Sequence, residues 1–216
     1  MFNTIFQKIH NEGYKFIAIS IFVTFVLFLF SEFLGYVGSL ITIWIYYFFR
    51  DPERFSIKND NYLISPADGI VSQITEVQGP TDLGLEGKKY TRVSIFMNAF
   101  NCHVNRVPSS GKITQILHKP GKYINASLNK ASEDNERNYV KMTNSNGDEL
   151  ILVQIAGLIA RRIVCEIKEN EETKQGDKFG MIRFGSRVDL YFGNYQIMVR
   201  QNQQTTGGET IISKKN

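Results

Sequence analysis

The sequence has few of the residues that bind metal ions or form disulfides. Its 216 residues contain two cysteines, Cys102 and Cys165, and three histidines, His10, His103 and His118. The cysteines are far apart in sequence, so they give neither a metal-binding spacing nor a disulfide framework, which fits a reducing cytosolic environment. His10 precedes a long apolar stretch, and no histidine–cysteine cluster remains after it. We therefore expect no metal site.

The sequence also lacks a strong charge and the common phosphate-binding loops. The formal net charge is +4, and the lysines and arginines are scattered rather than grouped. Such a mild excess argues against a nucleic-acid partner, although it suits a protein that rests on an anionic membrane. Neither a P-loop nor a dinucleotide-binding fingerprint occurs, which argues against these nucleotide-binding classes.

The longest apolar runs lie at the N-terminus. Residues 16–30 and 33–49 are apolar apart from a few small polar residues, and Ser31-Glu32 separates the two runs. Each run is shorter than the roughly 20 residues that span a bilayer, so together they predict a hairpin of two short helices. Residues 1–50 are therefore interpreted as a membrane anchor, with full spanning and shallow insertion both open.

The flanks of this hairpin indicate its orientation. Lys15 precedes the first run, and Arg50 and Arg54 follow the second. Basic residues favour the cytoplasmic side of a membrane, so both ends are expected in the cytoplasm. A cleaved signal peptide is disfavoured because the apolar region is too long and no small-residue cleavage site appears.

Residues 51–216 are predicted to form one mainly β domain with a sandwich or barrel-like fold. Short strand-like runs alternate with turn sequences rich in glycine, proline, asparagine and aspartate. The predicted strands are 70–77, 91–97, 103–107, 112–118, 139–143, 150–155, 163–167 and the two runs on either side of Gly185-Ser186. Residues 201–216 are mostly polar and are interpreted as a tail that frays.

The Gly185-Ser186 bond combines a permissive backbone with a nucleophile. Glycine allows unusual backbone angles and leaves its carbonyl carbon uncrowded. The hydroxyl of Ser186 can reach the carbonyl of the peptide bond before it, and Arg187 could hold a carboxylate. The segment is a candidate for attack of the chain on itself, although a tight bend with a solvated serine fits the same residues.

Two further motifs carry candidate catalytic groups. Asp68 lies in the turn sequence SPADG at 65–69, and His103 lies in HVNRVP at 103–108. Asp68, His103 and Ser186 could form a general-base triad, in which the carboxylate orients the imidazole and the imidazole takes the serine proton. Each of them also fits an ordinary turn or strand residue. The polar segment 125–138 is too long for a plain hairpin loop and is a further functional candidate.

The order of these motifs resembles that of the short, bacterial-type phosphatidylserine decarboxylases. The resemblance covers most of the chain, because the apolar hairpin and several motifs occur in the same order. The motifs are FFRDPER at 48–54, SPADG at 65–69, HVNRVP at 103–108, NKASEDNERN at 129–138, QIAGLIARRIVC at 154–165 and RFGSRVDLY at 183–191. The ordered set is far more specific than any single motif.

The resemblance implies a proenzyme that cuts itself between Gly185 and Ser186. Attack of Ser186 Oγ on the Gly185 carbonyl would give an ester, and elimination would leave a large chain, 1–185, and a small chain, 186–216. Ser186 would become a covalent pyruvoyl group. Its carbonyl would form a Schiff base with the amine of phosphatidylserine and act as an electron sink while carbon dioxide departs, which yields phosphatidylethanolamine.

The resemblance also implies roles for residues of the other motifs. Asp68 would assist self-cleavage, and His103 would donate a proton during decarboxylation. The residues implied in substrate binding are Asn135, Glu136, Arg137 and Asn138. Longer family members carry a second histidine where this chain has Arg106, which cannot act as a base near neutral pH. Either His103 serves both reactions or another group assists cleavage, and Arg106 could bind the phosphate or the carboxylate of the substrate.

The implied partners are phosphatidylserine in the membrane and the enzyme's own two chains, as a heterodimer that could oligomerise further. The implied location is the inner membrane, with the catalytic domain on its cytoplasmic face. Three alternatives stay open. They are a decarboxylase of a related serine phospholipid, a lipoyl- or biotinyl-like carrier module suggested by SPADGIV at 65–71, and a membrane-anchored peptidase that retains Ser186.

Overall fold

A computed structural model describes residues 7–126, 134–158, 162–183 and 186–216. The chain divides into two compact units, Met1–Glu53 and Arg54–Asn216. The mainly β fold class with an N-terminal helical hairpin, as predicted from the sequence, is confirmed.

The first unit is a hairpin of two apolar helices, α1 (Gly13–Phe30) and α2 (Glu32–Phe48). Ser31 between them has an extended backbone, which ends α1 and turns the chain. The helices pack closely: Thr24 Oγ1 lies 3.0 Å from Thr42 Oγ1, and a Cβ on Gly35 would overlap the Phe28 ring. Small residues are what allow two helix backbones to approach in this way.

The outer surface of this hairpin is apolar. Leu29, Phe30 and Phe33 are each more than 70% exposed, which is unusual for large apolar side chains in contact with water. Among the described residues, α1 is the one helix that is long and apolar enough to cross a membrane. These features are consistent with membrane association.

The second unit consists of antiparallel strands in three sheets. The strands are β1 (Tyr62–Ile64), β2 (Gly69–Gln78), β3 (Lys89–Met97), β4 (Val104–Arg106), β5 (Gly111–Lys119), β6 (Arg137–Asn144), β7 (Glu149–Ile155), β8 (Ile163–Cys165), β9 (Glu172–Thr173), β10 (Lys178–Ile182), β11 (Ser186–Phe192), β12 (Tyr195–Ile197), β13 (Gln204–Thr205) and β14 (Ile211–Lys215). The largest sheet has the order β13-β2-β3-β11-β7-β6-β5-β9, and the smaller ones are β1-β14-β12 and β4-β10-β8. Each strand predicted from the sequence overlaps one of these strands.

Strand β11 lies inside the large sheet, between β3 and β7, and all seven of its residues are buried. Because successive side chains point to opposite faces, its residues divide into two sets. Val188, Leu190 and Phe192 enter the main core. Tyr191 packs in a smaller cluster on the other face, with residues such as Tyr139 and Ile155. The face opposite the main core is polar at its start, where Arg187 and Asp189 lie, although both residues are buried.

The interpretation of residues 201–216 as a fraying polar tail is wrong. Strand β14 pairs with both β1 and β12, and Ile212 and Ser213 are fully buried. Strand β13 pairs with the start of β2. These residues are ordered because they complete sheets begun about 150 residues earlier in the chain, a long-range pairing that local composition does not reveal.

Candidate active site

Ser186 is the first residue of a central strand and follows a crossing between two sheets. Strand β10 ends at Ile182 in the β4-β10-β8 sheet, whereas Ser186 begins β11 in the large sheet. The chain therefore passes from one sheet to another here and does not form a hairpin. Gly185, the other half of the predicted cleavage site, lies outside the described residues.

The hydroxyl of Ser186 is buried and has no hydrogen-bond partner among the described residues. Ser186 pairs with Met97 of β3, so the two side chains lie side by side on the face of the main core. A buried polar group without a partner costs free energy, so it calls for a functional explanation. The solvated turn serine that the sequence also allowed does not describe this residue.

His103 lies close to the end of β10 and is fully buried. Its carbonyl oxygen accepts a hydrogen bond from the Ile182 amide at 3.4 Å, four residues before Ser186. On the ring, Nδ1 lies 2.9 Å from the Asn101 carbonyl oxygen. A carbonyl can only accept, so this contact assigns the proton to Nδ1 in the neutral ring and leaves the lone pair on Nε2. That tautomer suits a general base.

Asp68 is engaged by a different partner. Both oxygens of its carboxylate accept hydrogen bonds from Arg54 Nη2, at 3.0 Å for Oδ1 and 2.8 Å for Oδ2. Oδ1 also accepts a hydrogen bond from the Gly207 amide at 2.7 Å. The SPADG turn lies next to β4, because the Arg106 amide donates to the Pro66 carbonyl. Among the described residues the Asp68 carboxylate makes no hydrogen bond to His103 or Ser186, so the triad stays a prediction.

Arg106 is buried within the second unit. Its Nη1 donates to the Gly176 carbonyl oxygen at 3.0 Å. The side chain runs so close to Gly208 that a Cβ there would lie 2.7 Å from Arg106 Cδ. Gly208 has a positive φ of 84°, a second reason for glycine at this position. These contacts fix the conformation of the Arg106 side chain.

The four residues predicted to bind substrate are divided by the sheet. Asn138 lies on the Ser186 face and donates to Gln154 Oε1 at 3.0 Å. Arg137 lies on the opposite face, where it pairs with Asp82 at 3.0 Å. Asn135 bonds to backbone groups of Ile124 and Ala156, and Glu136 accepts a hydrogen bond from Tyr123. Residues 127–133 of the candidate loop lie outside the described residues.

A chain of buried amides near Ser186 was missed by the sequence reasoning. Asn138 donates to Gln154, Gln154 Nε2 donates to Asn105 Oδ1 at 2.9 Å, and Asn105 Nδ2 lies 3.7 Å from Met97 Sδ. Gln154 and Asn105 are fully buried. The available signal was Gln154 itself, a polar residue in the otherwise apolar run 150–155, because buried polar side chains are rarely placed in a core without a partner.

The face opposite Ser186 carries a buried ion pair. Arg187 Nε lies 2.9 Å from Asp189 Oδ1, and Arg187 Nη1 donates to the Ala126 carbonyl oxygen at 3.3 Å. The expectation that Arg187 could hold a carboxylate is met by Asp189, two residues along the same strand. On the same face of the sheet, Lys119, Tyr139 and Arg137 all contact Asp82. Desolvation raises the pKa of this carboxyl, but these hydrogen bonds outweigh it and lower the pKa to about 2.

Comparisons with known proteins identify the family of the chain. The family model described as phosphatidylserine decarboxylase matches residues 41–213. A protein of Pelagibacter ubique (strain HTCC1062), named phosphatidylserine decarboxylase proenzyme, is 61% identical over 215 residues, which cover 100% of both chains. Proteins with the same name from Rickettsia typhi and Rickettsia prowazekii are each 51% identical over 213 residues, or 98% of this chain and 92% of theirs.

The fold, the buried serine and these matches define a class first: a β-fold decarboxylase that is made as a proenzyme. Within that class, the chain belongs to the phosphatidylserine decarboxylase family. This membership decides against the carrier and peptidase alternatives.

Proposed function

We propose that this chain decarboxylates phosphatidylserine after cutting itself between Gly185 and Ser186 and converting Ser186 into a pyruvoyl group. The observation that carries the proposal is the buried Ser186 hydroxyl, which has no hydrogen-bond partner among the described residues. Ser186 is also the first residue of a central strand, directly after the chain passes from the β4-β10-β8 sheet to the large sheet. A nucleophile in such a position is not needed for the stability of the fold. It is instead available for chemistry on the peptide bond that precedes it.

The surroundings of residue 186 fit a pyruvoyl group. Such a group would remain linked to the Arg187 nitrogen, and Arg187 pairs with Phe96 on one side and Ile155 on the other. Pairing on both sides would hold the group in one orientation, which is the pre-organisation that catalysis requires. When present, the group supplies an electrophilic carbonyl that takes up the substrate amine and withdraws electrons as carbon dioxide leaves.

His103 is the residue we assign to proton transfer. In self-cleavage its Nε2 would take the proton of Ser186 Oγ and return it to the nitrogen of the broken peptide bond. In decarboxylation it would donate the proton that replaces carbon dioxide. Its burial excludes competing water, and the Asn101 carbonyl holds the required tautomer. Asp68, which is locked by Arg54, would act through the position of its turn beside β4.

Arg106 and the segment 135–138 are proposed to serve the substrate. Arg106 supplies a positive charge in a buried region, which suits the phosphate or carboxylate of phosphatidylserine. Asn138 lies on the same face as Ser186. Asn135, Glu136 and Arg137 would hold the shape of the pocket through their contacts with Ile124, Tyr123 and Asp82.

The helical hairpin is proposed to anchor the enzyme at the cytoplasmic face of the inner membrane. Its exposed apolar surface and the basic residues at its ends favour contact with anionic lipid. The large chain, 1–185, and the small chain, 186–216, would stay together as a heterodimer, because β11 pairs with strands of the large chain on both sides.

Denaturing mass spectrometry of the purified protein tests the proposal. We expect two chains, the smaller beginning at residue 186 with a blocked N-terminus, whereas Ser186→Ala stays at full length. Decarboxylase activity from a wild-type protein that remains intact would contradict the mechanism. His103→Ala serves as the second variant: retention of both cleavage and decarboxylation would remove His103 from both assigned roles.

A further inference from the structure

The buried amides near Ser186 form a chain with a direction. The NH₂ group of Asn138 donates to the carbonyl oxygen of Gln154, and that of Gln154 donates to the carbonyl oxygen of Asn105. The last member, Asn105, then presents its own NH₂ group at the far end. Hydrogen bonds in such a series polarise one another, so the final N–H is a better donor than an isolated amide.

A backbone carbonyl fixes this direction. Besides Asn105, the Nε2 atom of Gln154 faces the Val164 carbonyl oxygen at 3.5 Å. Turning the Gln154 amide around would place two oxygens against each other and leave Asn105 without its donor. The NH₂ group of Asn105 is therefore obliged to point away from Gln154, toward Met97.

At this end the donor meets a poor acceptor. The acceptor of the Asn105 NH₂ group among the described residues is the thioether sulfur of Met97, at 3.7 Å, and a thioether accepts hydrogen bonds only weakly. Met97 is the register partner of Ser186, so the amide lies one side chain away from the buried serine hydroxyl. A strong donor and a hydroxyl without a partner among the described residues are thus both neighbours of the Met97 side chain.

We propose that Asn105 is the hydrogen-bond donor that stabilises the oxyanion formed during self-cleavage, an inference that rests on the function proposed above. When Ser186 Oγ bonds to the Gly185 carbonyl carbon, the former carbonyl oxygen takes the negative charge. Collapse breaks the carbon–nitrogen bond, and the Oγ proton passes to the nitrogen. The oxyanion is attached to the same carbon as Oγ, which brings it within reach of a donor beside Ser186.

In this arrangement Gln154 is a positioning residue. It touches neither Ser186 nor the scissile bond in the contacts described. It acts by holding the carbonyl end of Asn105, so that the NH₂ end points toward Met97, the register partner of Ser186. Stabilisation of the oxyanion requires a hydrogen-bond donor at position 105, so an apolar side chain of the same volume would not provide it. Removal of one oxyanion donor slows an acyl transfer by about 10²- to 10³-fold in enzymes where this has been measured.

The test follows the conversion of full-length protein into two chains after synthesis in a cell-free system with lipid vesicles. Asn105→Leu keeps similar volume and removes the donor; we expect cleavage to slow by about 10²-fold. Met97→Leu is the matched control, because it alters the same contact but leaves the donor in place, and it should cleave at close to the wild-type rate. Folding of each variant is compared by thermal unfolding in a Ser186→Ala background.

Two results would overturn the inference: cleavage of Asn105→Leu at the wild-type rate, or equal slowing by Met97→Leu, which would indicate packing. A wild-type chain that never cleaves would instead refute the proposed function, and this inference with it.

An Asn105→Asp variant tests the same point even if the leucine variant does not fold. A carboxylate cannot donate a hydrogen bond, whereas the neutral acid can, and burial raises the pKa of a carboxyl group toward the working range. We expect the ratio of the Asn105→Asp cleavage rate to the wild-type rate to rise as the pH is lowered from about 8 to about 5. A ratio that stays level across this range would contradict a donor role, because packing alone does not follow protonation.

Discussion

At the scale of single residues, the stability of this structure depends on the buried ion pair of Arg187 and Asp189. Both side chains are almost fully buried, and they lie on the same face of β11 because they are two residues apart. Their mutual attraction and the contact with the Ala126 carbonyl offset the cost of removing two charges from water. Removing one partner would leave the other charge buried without compensation.

We therefore expect Arg187→Met and Asp189→Leu each to lower the free energy of unfolding by about 3–5 kcal/mol, and the double variant to lose much less than their sum. The measurement is chemical denaturation in the Ser186→Ala background, which keeps the chain in one piece. Strictly additive losses would show that the two residues act independently and would contradict the pairing.

Single residues also mark the limit of what sequence reasoning reaches. Ser186 and His103 could be selected because each lies in a short, distinctive motif. Gln154 carried a signal, as a polar residue in an apolar run, but its partners Asn138 and Asn105 come from other strands and could not be inferred. Asp82 lies in a polar segment whose sequence gave no signal, yet it receives hydrogen bonds from Tyr139 and Arg137, more than 50 residues away.

At the level of elements, β14 shows that composition alone can give a wrong prediction for a segment. The strand holds only two large apolar residues, Ile211 and Ile212, among serine and lysines. It is ordered because β1 and β12 flank it on both sides. The long β strands of the domain were predictable from their alternating pattern, whereas short strands such as β1, β9, β12, β13 and β14 exist through pairing alone.

This placement predicts that Ile212→Ala lowers the free energy of unfolding by about 2–5 kcal/mol, since it opens a cavity beneath a central strand. Lys214→Ala, at an exposed position of the same strand, is the control and should change stability by less than about 0.5 kcal/mol. Equal, small effects of the two substitutions in denaturant unfolding would argue that β14 is dispensable.

For the whole molecule, the proposed function assigns membrane attachment to the helical hairpin unit and chemistry to the β unit. We predict that a chain lacking residues 1–50 loses far more activity on phosphatidylserine in bilayers than on a short-chain, soluble phosphatidylserine. The physical reason is that the hairpin raises the concentration of the catalytic unit near its substrate without altering the reacting groups.

The comparison is made by measuring carbon dioxide release from both substrates with the truncated and the full-length protein. Replacement of residues 1–50 by an unrelated apolar helical hairpin is the control and should restore activity on bilayers. Equal losses on the two substrates would mean that the hairpin supports the catalytic unit itself.

The crossing between β10 and β11 has a consequence for how the enzyme can be made. A cut there leaves every strand pairing intact, because the small chain keeps β11 between β3 and β7, β13 beside β2 and β14 beside β1. The same interleaving means that folding must be complete before the bond is broken. Only the uncut chain can reach this fold in a unimolecular reaction. The mature enzyme, once unfolded, consists of two separate peptides and has no unimolecular route back.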